Sequence, residues 1–106
     1  MTPDGTPIPI VCTLDAGALA ERAGEWRSFV ASCVVGVEAG ATTVRMVLAD
    51  SPTALATAAS LGQREKHCCG FFDASIELEA ERRSLVLRVP GGAEEAMATF
   101  VALLTP

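Results

Sequence analysis

Basic residues are scarce in this chain. Of 106 residues only eight are Lys or Arg, against thirteen Asp or Glu, for a formal charge of −5. Phosphate neutralisation needs a basic face, and the small clusters Arg64-Glu65-Lys66 and Arg82-Arg83 are flanked by acids, so no nucleic-acid partner is expected. No apolar run approaches the roughly 18 residues of a membrane span, and no membrane partner is expected either. Residues 1–7, Met-Thr-Pro-Asp-Gly-Thr-Pro, lack a basic stretch followed by an apolar one. They read as a disordered tail rather than a secretion signal, which implies a cytoplasmic protein. The cysteines show no Cys-x-x-Cys spacing, the usual mark of structural zinc. There is one histidine, His67.

Apolar residues are abundant, at half the chain, and mean hydropathy is +0.38. A chain of this length folds as one domain, here residues 8–106, without help from disulfides or metal. Part of the apolar excess is alanine, and a homodimer interface is expected to cover the rest.

The patterning alternates between helix and strand. Residues 8–13 read as a first strand, which Pro9 makes an edge strand or an entry segment, with Ile8, Ile10 and Cys12 on one face. Asp15 is placed to cap a helix over about 15–30, with Leu19, Ala23, Trp26 and Val30 as its apolar stripe. Its charged side reads as solvated, with Arg27 as the residue that could reach the Glu65 region. Residues 33–38 and 42–49 form two strands joined by a hairpin at Ala39-Gly40-Ala41. Ser51 and Pro52 then open a second helix running to about residue 69, with Gly70 as its stop. Residues 73–81 alternate again, Arg82-Arg83 turn the chain, and Leu85, Leu87 and Val89 give the inward face of the next strand. After Pro90-Gly91-Gly92 a last helix spans about 93–104, with Ala93, Met97, Phe100, Val101 and Leu104 at helical spacing. The order β-α-ββ-α-ββ-α predicts an α+β fold. Four to five antiparallel strands make a sheet with three helices on one face and the acidic 77–81 stretch on the wet side or against a partner.

Reactive groups concentrate in residues 61–72, where a helix runs into Cys68-Cys69-Gly70-Phe71-Phe72. At about 100° per residue, with Leu55 at the centre of the apolar face, Cys69 falls near that centre. Glu65 falls on one flank with Cys68 further round it, and His67 on the other. Glu65 therefore ranks above His67 as a companion to the thiols. Adjacent cysteines have Cα atoms about 3.8 Å apart. That is too close for a relaxed disulfide, so the pair suits a soft ion or a redox step. A helix C-terminus disfavours thiolate, so activation would have to come from Lys66, His67, Arg27 or a bound cation. Cys12 is the candidate third thiol. Cys33 at a helix–strand junction reads as packing, and Phe71 and Phe72 read as core anchors.

The segments Cys12-Thr13-Leu14, Glu25-Trp26-Arg27 and Glu65-Lys66-His67-Cys68-Cys69-Gly70-Phe71-Phe72 resemble a group of small actinobacterial-type proteins and fused domains with a Cys-Cys-x-Phe-Phe motif. Members of that group often carry proline where this chain has Gly70, and some are associated with heavy-metal resistance or metal-responsive regulators. The resemblance implies one site made of Cys12, Glu65, Cys68 and Cys69.

The expected function is thus binding of a soft metal or metalloid ion through Cys12, Cys68 and Cys69, with Glu65 as an oxygen ligand or supporting base. Two alternatives stand beside it. One is a thiol enzyme or redox protein acting on a small thiol-reactive ligand through Cys68 and Cys69. The other is a homodimeric interaction or regulatory module.

Overall fold

A computed structural model describes residues 16–104. The expected first strand, Cys12 within it, and the Asp15 cap lie outside the described residues. So do the side chains of residues 16–19 and of Cys68. The described chain runs α1 (Ala16–Cys33), β1 (Val34–Ala39), β2 (Thr43–Leu48), α2 (Pro52–Cys68), β3 (Asp73–Leu78), β4 (Arg83–Arg88) and α3 (Glu94–Leu104). The strands form an antiparallel sheet in the order β1-β2-β4-β3. The fold is α+β, as the patterning predicts.

Local chemistry sets most boundaries. Ser51 accepts a 3.0 Å hydrogen bond from the Ala54 amide and Pro52 occupies the first turn, so α2 starts where the capping residues are. The β1–β2 hairpin closes with Gly40 N donating to Thr43 O at 2.7 Å. Gly92 has φ of 99°, a conformation that glycine adopts without strain, and it turns the chain into α3.

Three boundaries differ from the pattern. α1 runs on to Cys33 rather than ending near residue 30, and leads directly into β1. β3 stops at Leu78 rather than residue 81, because Glu79–Arg82 form the turn. Glu79 N donates to Arg82 O at 2.8 Å, and the Arg82 guanidinium returns to the Glu79 carboxylate at 3.1 Å. Strand-like alternation thus extends into a hairpin turn held by its own ion pair. At the end of α2 the cap is Cys69, with φ −122° and ψ 87°. Gly92 is the glycine with positive φ among the described residues, so Gly70 does not end the helix by a left-handed turn.

The three helices cover one face of the sheet, with α1 packed against both α2 and α3. Val44, Met46 and Leu48 of β2 and Leu85 and Leu87 of β4 point into this layer and are buried with Trp26, Phe29, Met97, Phe100 and Leu104. The opposite face carries ions. Arg45 of β2 reaches Glu77 of β3 at 2.6 Å, crossing β4 where Ser84 and Val86 are fully buried. Arg88 joins Glu77 at 3.2 Å, and Arg82 bridges to Glu38 at 3.2 Å. Hydrogen bonds from Arg45 and then Arg88 hold the Glu77 carboxyl below its usual range.

Candidate functional site

The site begins with how α2 lies on its neighbours. Ala54, Ala58, Leu61 and Glu65, spaced four, three and four residues apart, are all buried, whereas Leu55 is partly exposed and Ala59 is exposed. The buried stripe is therefore turned away from Leu55, and Glu65 sits on the stripe rather than on its flank. The turn has a structural cause. α2 must serve the sheet and α1 together, and Gly62 lets it come close to the sheet. A Cβ at Gly62 would stand 3.2 Å from Leu85 Cδ1 and 3.5 Å from Ala74 Cβ.

A carboxylate at 5 % exposure in an apolar layer needs a donor. Trp26 supplies it. Its indole Nε1 donates to Glu65 Oε1 at 2.8 Å from α1, 39 residues away in sequence. Trp26 itself has no solvent exposure, so the bond satisfies two buried polar groups at once. Aromatic edges enclose the pair. Phe29 and Phe100 meet the Trp26 ring in T-shaped contacts at 5.9 and 5.1 Å, and Phe72 meets Phe100 at 5.4 Å. Phe71 stacks on Phe72 at 4.9 Å, and both phenylalanines are buried, in keeping with a role as anchors at the helix exit.

Cys69 lies one turn beyond Glu65 and is 4 % exposed. Its amide donates to the Glu65 carbonyl at 2.8 Å, and its own carbonyl accepts from Phe72 N at 3.0 Å. Cys69 is thus held at the hinge between helix and β3, while Lys66 Nζ secures the same hinge by donating to Gly70 O at 3.1 Å. His67 is exposed, on the side away from Glu65. Cys33 is partly buried at the end of α1 and packs against the core.

Arg27 does not reach Glu65. Its Nε donates to Leu103 O at 2.9 Å and so ties α1 to α3. The ionic link between α1 and α2 is instead Arg64 Nη2 with Glu25 Oε2, 2.8 Å apart but off the N–H direction. Arg22 Nη1 and Arg64 Nε are buried near this seam with no acceptor among the described residues. The role of Trp26 escapes a reading by hydropathy, which files it with the apolar stripe. The available signal is chemical: a buried indole N–H needs an acceptor, and Glu65 is the acid on the buried side of the facing helix.

Of the expected ligands, the structure brings Glu65 and Cys69 to one buried helix end. Cys12 and the Cys68 side chain lie outside the described residues. Among the described residues, no three His, Cys, Asp or Glu side chains are arranged to hold a metal ion. No described helix is long and apolar enough to cross a membrane. No family model matches the chain, and neither a curated protein nor a solved structure matches it.

Proposed function

We propose that this protein binds a soft metal or metalloid ion, as part of heavy-metal resistance or sensing. Cys68 and Cys69 are the thiolate ligands in this reading, Cys12 is the third, and Glu65 contributes a carboxylate oxygen or acts as a supporting base beside them. The observation that carries it is the buried Glu65 carboxylate, held by Trp26 one turn before the cysteine pair. Placing an acid in an aromatic layer is costly, and a cation bound at neighbouring sulfurs gives that acid a partner. The resemblance of the Cys-Cys-x-Phe-Phe segment to domains associated with heavy metals favours the same chemistry. A reducing compartment such as the cytoplasm would keep the four thiols available.

Burial weighs against Cys69 as the attacking thiol of the thiol-enzyme alternative, because at 4 % exposure a substrate has little access to it.

Cd²⁺ titration followed by native mass spectrometry tests the proposal. The full chain should take up one ion, and Cys68→Ser/Cys69→Ser should lose that uptake. Trp26 gives a second readout. It is the chain's single tryptophan and is bonded to Glu65, so its emission should change in step with ion uptake. Equal, weak uptake by wild type and double variant would remove the proposal.

A further inference from the structure

The outer edge of β3 combines two features that the ion site does not use. Leu78 is 68 % exposed at the end of the strand, the most open large apolar side chain on this edge. Beside the strand, between it and α2, runs a groove of 290 Å³ whose apolar lining includes Gly62, Ala74, Ile76 and Leu85, with Gln63, Lys66 and Ser75 also bordering it. Small residues keep it open, and Gly62 adds no Cβ to fill it. We propose that the β3 edge pairs with the β3 edge of a second copy, in an antiparallel twofold dimer centred on Ile76.

Geometry and charge select both the edge and the register. A twofold axis perpendicular to the sheet keeps the helices of both copies on one face. Directly opposed residues must then share a face, so the axis passes beside a residue and not between two. Near the middle of β3 the centres are Ser75, Ile76 and Glu77. Centring on Glu77 sets that acid against itself. Centring on Ser75 sets Asp73 against Glu77 of the second copy, twice. Like charges directly opposed destabilise a sheet. Centring on Ile76 opposes Ser75 to Glu77 and Ala74 to Leu78, with no two acids paired inside the strand. The same register seats the exposed Leu78 of each copy beside Ala74 in the groove wall of the other. Asp73 then faces Glu79, which lies past the strand end in the turn, so this register alone keeps opposed acids out of the paired stretch.

The other edge, β1, also exposes apolar residues, Val35 at 71 % and Val37 at 43 %. Its register slips between Val34 and Gly36, however, whereas β3 pairs with β4 without interruption over Asp73–Leu78. A bulge twists an edge away from regular pairing. Among the described strands, joining the two regular edges closes the assembly at two copies and leaves the bulged β1 edges outside.

Sedimentation equilibrium of the full chain, with Leu78→Glu and Val35→Glu alongside, tests the proposal, with circular dichroism confirming that each variant is folded. Wild type and Val35→Glu should be dimers at tens of micromolar, and Leu78→Glu should dissociate at least tenfold more readily. Ile76→Cys tests the register. Opposed Cα atoms about 4.5–5.5 Å apart lie within disulfide range, so mild oxidation should give a covalent dimer whose peptide map shows residue 76 joined to residue 76. A monomeric wild type, a Leu78→Glu protein that stays dimeric, dissociation by Val35→Glu, or no bond between the two residues at position 76 would overturn it.

Discussion

Trp26→Phe isolates the bond on which the buried acid depends. Phenylalanine keeps most of the aromatic contact with Phe29 and Phe100 but removes the indole N–H, leaving Glu65 Oε1 without its 2.8 Å donor. A hydrogen bond to a charged group contributes about 1.5–3 kcal/mol. The smaller ring, at a site with no solvent exposure, adds about 1 kcal/mol of lost packing. The expected loss is therefore about 2.5–4 kcal/mol, and Tm should fall by at least about 10 °C for a domain of this size. Glu65→Leu orphans the indole instead and should cost about 1–3 kcal/mol. The double variant removes both polar groups together and should lose much less than the sum, with a coupling of about 1.5–3 kcal/mol. Urea unfolding followed by far-ultraviolet circular dichroism is the assay, because tryptophan emission vanishes in Trp26→Phe. Single-variant costs that add to the double within about 0.5 kcal/mol would refute the reasoning.

Gly62→Leu should destabilise by about 1–3 kcal/mol in the same urea assay, since even a Cβ there meets Leu85 Cδ1 at 3.2 Å. Ser51→Ala should cost about 0.5–2 kcal/mol through loss of the α2 cap, read as a shift in urea midpoint with unchanged slope. Glu77, whose pKa is lowered by Arg45 and Arg88, contributes stability that is present above its usual value of 4.5 and is lost as pH falls through the lowered value. Urea midpoints across that acid range should fall less steeply for Glu77→Gln than for wild type.

The legible parts of the fold were those written in neighbouring residues. The two hairpins, the Ser51-Pro52 start of α2 and the stripe Met97, Phe100, Leu104 of α3 each follow from contacts within a few positions. The structure departs from the pattern where one local pattern serves two structures. Glu79 and Glu81 continue the alternation of β3, but the ion pair from Arg82 to Glu79 makes that stretch a turn. The buried stripe of α2 departs from the expected one for a similar reason. Leu55 is the largest apolar residue of its first turn, yet the stripe is set by what α1 and the sheet present to the helix.

The candidate site divides along the same line. Sequence alone determined that a carboxylate and two thiols fall within five residues at a helix end, and that His67 points elsewhere, because helical spacing is a local property. Only the tertiary structure decided that Trp26 holds Glu65, that Arg27 serves α3, and that β4 lies between β2 and β3. Those choices join residues tens of positions apart. They are made by which surfaces can be buried together, a competition among whole helices and strands that no short window of sequence contains.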